Sequence, residues 1–263
     1  MNDSDKTRAG SPDRFGHEWS TYSTILPESR DQLMRWLGST ELETFRQKTV
    51  IDVGCGMGRN AYWMVRSQAA HVMALDVDDR SLQAARINLR EYSNVSVVQM
   101  SVYDMAPTNV GMADRVTCIG VLHHLSHPAE ALHRMWSCVH PGGDLVLWCY
   151  GRIGNEWIIP TIHCLRRMCS RVHPEIVRGF AKCLAAAAWP VVVFYPWRTD
   201  YYANLKTLSF RNFESIIFDQ MIPRISNYWT RDEMENLIRP LGGEAVVELV
   251  QGNSWHVRIL KRT

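Results

Sequence analysis

Short apolar runs alternate with helical patterns between residues 50 and 150. Five runs of strand character, from TVIDV to DLVLWCY, are separated by segments in which apolar residues recur every three or four positions. Such alternation predicts a parallel sheet wrapped by helices, with ligands bound at the carboxyl ends of the strands. Further on, a helix from about Thr230 opens with TRDE, a capping-box pattern. EAVVELV and SWHVRIL, joined at Gly252 and Asn253, then predict a closing hairpin.

The same pattern divides the chain into four segments. Residues 1–13 contain almost nothing to bury and predict a disordered tail. Residues 14–150 predict an N-terminal cap and the ligand-binding core. The alternation stops in residues 151–226, which are aromatic, basic and interrupted by prolines, and we expect an α-rich insertion that caps the sheet. Residues 227–263 return to the core with a helix and two strands.

Composition limits the partners of the protein. A net charge of +2 over 263 residues gives no general attraction to nucleic acid. Seven cysteines without a CxxC pair and a polar N-terminus without an apolar signal segment predict a cytoplasmic protein with reduced thiols. The longest uncharged apolar run, residues 183–197, has 15 residues and two prolines, fewer than the ~20 residues of a membrane span. We therefore expect no stable membrane insertion, with weak peripheral contact through the neighbouring arginines as an open alternative.

The most specific motif is VIDVGCGMGRN, residues 50–60. A strand delivers Asp52, and Gly54, Gly56 and Gly58 then allow the backbone to turn sharply beside a ligand. The spacing is GxGxG with an acid two residues ahead, and not the GxGxxG of dinucleotide-binding folds. A carboxylate there repels a pyrophosphate but favours the ammonium group of an amino-acid cofactor.

A second acid ends the next predicted strand, in ALDVDD. Asp76 lies 22 residues beyond Gly54, where a carboxylate can accept hydrogen bonds from both hydroxyls of a ribose. The glycine loop and this acid together describe a nucleoside site. With RVTCIGVLHHLSHPAEALHRMWSCVHPGGDLVLWCYG, in which HPGG predicts the turn before the fifth strand, they resemble the class I S-adenosylmethionine-dependent methyltransferases.

The resemblance implies a Rossmann-like α/β fold and S-adenosylmethionine as cofactor. The sheet would have seven strands, mostly parallel with an antiparallel last strand, and helices on both faces. Asp52 and the three glycines would line the methionine portion, Asp76 would hold the ribose, and Gly120 would lie near the sulfonium. Ser101 stands where the family often has an acid for the adenine amino group, and Asp104 is the alternative if the loop is shifted.

The whole chain also resembles a narrower bacterial branch, similar to methyltransferase domain types 11 and 25. The shared features are an FGxxW segment ahead of the core, a long insertion after the fifth strand, a segment like FDQMIP and a closing NSW. Such enzymes often fold the N-terminal segment over the cofactor. Trp19 is therefore a candidate for cation–π contact with the sulfonium and Tyr22 for substrate contact, although packing of a helix on the sheet explains both equally well.

Three further polar residues are candidates through the same resemblance. Asp219 and Asn253 are candidate substrate contacts, and Arg14 could pair with the cofactor carboxylate. Trp255 completes the NSW segment. The alternative roles are a helix cap for Asp219, a hairpin turn for Asn253 and a core aromatic for Trp255.

Three histidines follow the fourth predicted strand, in VLHHLSHP. Methyl transfer from a sulfonium is an in-line displacement, so a base contributes only when the acceptor loses a proton. His123, ranked ahead of His124, is the candidate base, and the alternative is that both only shape the loop. No metal is expected, because zinc requires about four ligands in closed geometry and no cysteine lies at metal-site spacing. His127, before Pro128, is expected at the entrance of a helix.

The insertion is expected to determine the substrate. Its aromatic residues offer a surface that encloses an organic acceptor, or alternatively form a small core of their own: Trp157, Trp189, Tyr195, Trp197, Tyr201 and Tyr202. The sequence thus predicts methyl transfer to an O, N or C atom of a small or medium-sized organic molecule, hydrophobic or aromatic in character. An RNA methyltransferase is disfavoured by the near-neutral charge and by IGVLHHL where an NPPY-like motif would stand. A non-catalytic scaffold of the same fold is disfavoured by the intact glycine loop.

Overall fold

A seven-stranded sheet forms the centre of the computed structural model, which describes residues 11–169, 171–194 and 204–263. The strand order is β3-β2-β1-β4-β5-β7-β6. The strands are Thr49–Val53 (β1), His71–Asp76 (β2), Val95–Gln99 (β3), Ala113–Ile119 (β4), Val139–Tyr150 (β5), Glu244–Val250 (β6) and Ser254–Leu260 (β7). Only β7 runs antiparallel to its neighbours within this sheet. The predicted mostly parallel sheet with an antiparallel last strand is confirmed.

Helices cover both faces of the sheet and continue into the insertion. Those within the described ranges are Pro12–Thr21 (α1), Glu28–Leu37 (α2), Arg59–Arg66 (α3), Asp79–Leu89 (α4), Pro107–Val110 (α5), Pro128–Ser137 (α6), Ile159–Cys169 (α7), Pro174–Phe194 (α8), Phe210–Met221 (α9) and Arg231–Ile238 (α10). On one face α2, α3 and α4 bury Leu33, Met64 and Leu82. On the other, α6 and α10 bury Leu132 and Met234. The strand order reverses between β1 and β4, so the loops after these strands flank a crevice at the carboxyl edge.

The fifth strand is longer than the sequence predicts. HPGG, predicted as a turn, lies inside β5, which begins at Val139. Val139 pairs with Ala113, and pairing resumes between Asp144 and Arg115, so a register irregularity absorbs the extra residues. Gly142 within it has a φ of 78°, a conformation that favours glycine.

The first helix begins inside the segment predicted to be disordered. It starts at Pro12, and Ser11 before it is 1% exposed. The Ser11 hydroxyl accepts a hydrogen bond from the Arg224 backbone N–H at 2.8 Å, which ties the helix start to the insertion. Residues 1–10 of the predicted tail lie outside the described residues.

The insertion contains α7, α8 and α9. In α8, Val177 and Ala181 pack against Phe218 and Met221 of α9. The uncharged apolar run of residues 183–197 overlaps a helix that is longer than the run itself. Helix α8 has 21 residues, and its most apolar window, with a mean hydropathy of 1.6, is long enough to cross a bilayer, while 22% of that window is buried in the protein. The helix begins at Pro174 and includes Arg178 and Lys182. These two charged residues interrupt the uncharged run but not the helix.

The predicted capping box of α10 is present. The Thr230 hydroxyl accepts a hydrogen bond from the Glu233 backbone N–H at 3.2 Å, and the Glu233 carboxylate accepts one from the Thr230 N–H at 2.8 Å. We expect Thr230→Ala to lower the free energy of unfolding by about 1 kcal/mol, because one backbone donor at the helix start loses its partner. Urea unfolding measures the change. Thr161→Ala, an exposed change in α7, is the control, and equal unfolding midpoints for the two variants would contradict the capping role.

Candidate active site

A cavity of about 440 Å³ opens at the carboxyl ends of the central strands. The glycine loop after β1 and the end of β2 form one side of it. Helix α1 and the insertion form the other, where Ile162, Phe213 and Ile217 contribute apolar surface. Nine of the residues predicted for the site line it: Trp19, Gly54, Gly56, Asp76, Ser101, Gly120, His124, Asp219 and Asn253. The insertion therefore encloses the same space as the predicted cofactor residues.

The glycine loop passes close beneath the side chain of Trp19. Gly54 and Gly56 have φ values of 72° and 54°, in the left-handed region. A Cβ atom on Gly56 would lie 3.0 Å from Trp19 Nε1, so only glycine fits without displacing the indole. The Gly56 N–H donates a hydrogen bond to Asp76 Oδ2 at 2.9 Å, which fixes the loop against the end of β2.

Two carboxylates flank this loop, Asp52 buried and Asp76 partly buried. Asp52 is 1% exposed, and its Oδ1 accepts a hydrogen bond from the Thr117 hydroxyl at 2.8 Å. Its Oδ2 has no hydrogen-bond partner among the described residues, and burial raises the pKa of the Asp52 carboxyl to about 6. Asp52 supports the loop from behind the cavity wall. Asp76 lines the cavity, and burial raises its pKa as well.

Ser101 lies at the position predicted for adenine contact. It is 8% exposed and lines the cavity beside Met100. Its hydroxyl accepts a hydrogen bond from the Tyr103 N–H at 3.3 Å, so the hydroxyl proton stays available to a ligand acceptor. Asp104, the alternative, is exposed on the surface. Gly120, after β4, has a φ of 84° and also lines the cavity.

Helix α1 carries the FGxxW segment across the glycine loop. A Cβ atom on Gly16 would collide with the Asp78 carboxylate, so this glycine allows α1 to lie against the start of α4. One turn later, Trp19 covers the loop, and the Arg59 guanidinium lies 5.5 Å from its ring centroid. Arg59, which lines the cavity, lies 5.2 Å from Trp36 on the other side. Arg59 is not among the site residues predicted from the sequence, although Arg59 directly follows Gly58, the last glycine of the motif.

The two adjacent histidines have different surroundings, in a 3₁₀ turn over Leu122–His124. His123 is fully buried behind the cavity, with its ring stacked on Tyr150 at 3.8 Å between centroids. Burial lowers its pKa well below the usual value. His124 lines the cavity. The structure thus favours His124 over His123, which reverses the order that the sequence suggested.

The hydrogen bond of His124 fixes its tautomer. Nδ1 lies 2.9 Å from the Ile225 carbonyl oxygen. A carbonyl only accepts, so Nδ1 carries the proton and the lone pair is on Nε2. Burial lowers the pKa of His124 to about 3, so the ring is neutral at physiological pH. His127 precedes Pro128 at the start of α6, as predicted, and its backbone N–H donates to the Tyr103 hydroxyl.

A cluster of polar groups, most of them partly buried, lies where α1, α9 and the end of β5 meet. Asp219 Oδ2 accepts hydrogen bonds from the Tyr150 hydroxyl at 3.3 Å and the Gln220 amide at 3.4 Å. Burial raises the pKa of Asp219 to about 6, against the opposing positive charges of Arg166 and Arg59. The cluster therefore holds a carboxylate whose pKa is close to neutral pH.

Glu18 is the second acid of this cluster. It is fully buried, lines the cavity and accepts a hydrogen bond from the Ser215 hydroxyl at 3.3 Å. Burial, and then the negative charge of Asp219, raise the pKa of Glu18 well above the usual value and so favour its protonated form. Glu18 is not among the site residues predicted from the sequence, although it stands inside the FGxxW segment. Its burial beside a cavity depends on α9 and has no local signal.

Several other candidates lie away from the cavity. Tyr22 is buried, and its hydroxyl donates to Glu214 at 2.7 Å. Trp157 is 65% exposed on the surface. The Arg14 guanidinium donates to the carbonyl oxygens of Cys169 and Val172.

Two of the remaining aromatic candidates pack in hydrophobic cores, and the others lie outside the described residues. Trp255 is buried in the core and donates to the Trp229 carbonyl. Trp189 packs against Phe210 and Phe213, as expected for a small core within the insertion. The other four predicted aromatics lie outside the described residues: Tyr195, Trp197, Tyr201 and Tyr202. In the part of the chain that is described, no group of three or more His, Cys, Asp or Glu side chains is arranged to hold a metal ion.

Comparison with known proteins gives a family match for the core of the chain and relatives for about half of its length. The family described as "Methyltransferase domain" matches residues 51–147. The Ubiquinone biosynthesis O-methyltransferase of Escherichia coli O9:H4 (strain HS) is 33% identical over 146 residues, which cover 54% of this chain and 60% of the relative. The enzyme of the same name from Erwinia tasmaniensis is 34% identical over 147 residues, again 60% of its length. The chain thus matches less than two thirds of these curated relatives.

Solved structures share the fold over nearly the whole chain. The DhpI–SAH complex has a TM-score of 0.59 at 15% identity, covering 95% of this chain and 94% of DhpI. Magnesium protoporphyrin IX methyltransferase (ChlM) from Synechocystis PCC 6803 with bound SAH has a TM-score of 0.55 at 13% identity, covering 98% and 97%. At these identities the likeness concerns the fold alone. Residues 51–147 thus match the methyltransferase domain family, and nearly the whole chain shares the fold of these solved structures.

Proposed function

We propose that the protein transfers a methyl group from S-adenosylmethionine to a small or medium-sized organic acceptor. The observation that carries the proposal is the single cavity that has the glycine loop and Asp76 on one side and apolar insertion residues on the other. The polar end of this cavity suits the nucleoside of the cofactor, and the apolar end suits an organic acceptor. The two ligands would then meet inside one cavity. The curated relatives are O-methyltransferases by name, and oxygen is accordingly the accepting atom that we propose.

The residues present fit the cofactor. Two carboxylate oxygens of Asp76 each use one lone pair on a backbone N–H, from Gly56 and Asp78, and keep another for ribose hydroxyls. The glycines of the loop have no side chains, so the loop backbone is open to the methionine portion of the cofactor. Arg59 lines the cavity and can pair with the carboxylate of that portion. Trp19 offers an aromatic face to a cation. Ser101 supplies a hydroxyl at the adenine end, and Gly120 gives the backbone room near the reacting atoms.

The bound cofactor supplies an electrophilic methyl group on a sulfonium. The contribution of the chain is to orient the two reactants, exclude water and remove a proton from the acceptor. Helix α1 and the insertion cover the cavity, and the insertion contributes apolar side chains such as Ile162 and Phe213 around the acceptor. Asn253 and Gln220 supply polar contacts at the same wall.

We assign the removal of the proton to Asp219, with His124 as an orienting group. A general base is most effective when its pKa is near the working pH. Asp219, at about 6, meets this condition, whereas His124, at about 3, is a poor proton acceptor. His124 Nε2 instead offers a fixed lone pair that accepts a hydrogen bond from an acceptor hydroxyl. Asp219, which the sequence predicts as a substrate contact, thus takes the role of general base that the sequence gives to the histidines.

Calorimetric titration with S-adenosylmethionine and S-adenosylhomocysteine tests the cofactor part of the proposal. We expect saturable heat with both and a rise in the unfolding temperature, because a ligand that binds only the folded state stabilises it. NAD serves as the control, since the carboxylate of Asp52 beside the loop opposes a pyrophosphate. Absence of both heat and thermal shift with the two sulfur ligands would overturn the proposal.

A further inference from the structure

An exposed apolar stripe runs along helix α8. Its members recur every three or four residues and share one side of the helix: Ile176, Phe180, Cys183, Leu184, Ala187, Val191 and Phe194. Ile176 is 66% exposed, Phe180 52% and Phe194 83%. From Ile176 to Phe194 the stripe is roughly 27 Å long at 1.5 Å per residue. An apolar surface of this extent on one helix is typical of an interaction site.

The opposite side of α8 is packed on the protein along its length. Val177 and Ala181 contact the cluster around Phe218, while Ala185 and Val192 contact Leu205 and its neighbours. A helix held in this way lies against the protein and presents one face outward. Such a helix suits binding in the plane of a bilayer surface and not passage across it.

Basic residues collect at the start of the stripe. An open concavity there is lined by Arg14, Arg171, His173 and Arg224 together with Val172. Lys182 is exposed on α8 itself. Two acids of this region pair with bases of the protein: Glu175 lies 3.1 Å from Arg178, and Asp13 lies 3.6 Å from Arg224. Arg171 and Lys182 are exposed and add positive charge near the stripe, and apolar surface beside basic residues matches a surface that carries acyl chains beneath anionic headgroups.

The stripe is continuous with the cavity. Leu184 is 40% exposed on the stripe and also lines the cavity. Further along the same side of the cavity lie Leu165, Ile162 and Leu208, all apolar. An apolar path therefore joins the outer face of α8 to the acceptor end of the site.

We propose that α8 docks the protein on an anionic phospholipid bilayer through this stripe, and that the acceptor is a lipophilic molecule taken from the bilayer past Leu184. The docking stands on the surface alone, and the statement about the acceptor rests on the proposed function.

Vesicle sedimentation of the full chain without cofactor tests the docking. We expect binding to vesicles of equal parts phosphatidylcholine and phosphatidylglycerol and little binding to phosphatidylcholine alone. Ile176→Ser with Phe180→Ser should weaken binding roughly 10-fold or more, because two apolar side chains lose their insertion into the acyl region. Arg171→Glu with Lys182→Glu should weaken it as well, and added salt should weaken wild-type binding. The matched control is Ile87→Ser with Val246→Ser, two equally exposed apolar residues on α4 and β6.

Three results would overturn the proposal. The first is wild-type protein that stays in the supernatant with anionic vesicles. The second is a control double variant that loses as much binding as the stripe variant. The third is a wild-type dimer by light scattering that the stripe variant converts to a monomer, since a second copy then covers the stripe. Calorimetry with S-adenosylmethionine is independent of all three, so failure of docking and failure of the proposed function are separable.

Discussion

Asp76→Ala is expected to weaken binding of S-adenosylmethionine roughly 100-fold or more. Hydrogen bonds to a charged group contribute about 1.5–3 kcal/mol each, and the variant removes two of them to the ribose. The carboxylate also accepts the Gly56 N–H at 2.9 Å and the Asp78 N–H at 3.0 Å, so its loss releases the glycine loop from the end of β2. Both effects act in the same direction. Calorimetric titration measures the dissociation constant.

The neighbouring acid Asp79 provides the control for this experiment. It lies at the start of α4 beyond the cavity and pairs with Arg86 on the surface. Asp79→Ala therefore removes a carboxylate of the same type without touching the loop, and we expect its dissociation constant to stay within about twofold of wild type, as for a surface change. Circular dichroism establishes that both variants are folded. A folded Asp76→Ala protein with wild-type affinity would contradict the ribose assignment.

The sheet, and the meeting of the glycine loop with Asp76 at its carboxyl edge, can be predicted from the sequence because both depend on local signals. Strand TVIDV, the GxGxG loop and Asp76 are each defined within a few residues, and the parallel strands are apolar runs bounded by loop residues. A carboxylate at the end of β2 meets the loop after β1 in any sheet with these strands adjacent.

The acceptor half depends on contacts between residues far apart in the chain. Asp219 reaches Tyr150 only because α9 folds over the end of β5, and Glu18 is buried by Ser215 of the same helix. The buried pair of Arg115 and Asp144, with two hydrogen bonds of 2.6 and 2.7 Å, is hidden for the same reason. Spacing along the sequence carries no information about such pairs.

Which of the two adjacent histidines lines the cavity could not be predicted, for a different reason. His123 and His124 are adjacent in a 3₁₀ turn, where their side chains leave the backbone in different directions. Neither helical nor strand periodicity decides which of them faces the cavity. His124 faces it because its Nδ1 is tied to Ile225, a residue a hundred positions later.

Asp219→Asn is expected to lower turnover roughly 100-fold or more while leaving the dissociation constant of S-adenosylmethionine within about threefold of wild type. The amide keeps the shape of the side chain and its bond from Tyr150 but cannot take a proton. The acid limb of the pH profile provides the specific signature. A base with a pKa of about 6 is deprotonated above that pH, so kcat/KM should rise through about pH 6 in the wild type.

The rise of kcat/KM through about pH 6 should vanish in Asp219→Asn and persist in two comparison variants. His124→Gln keeps a polar group at the same wall, and because His124 is already neutral above about pH 3, its replacement cannot remove a limb near pH 6. Glu18→Gln mimics the protonated acid, the form that burial and the charge of Asp219 favour, so this variant should also keep the acid limb. If His124→Gln abolished the limb and Asp219→Asn retained it, the proton would have to leave through the histidine, and the assignment of the base would revert to the one that the sequence alone suggested.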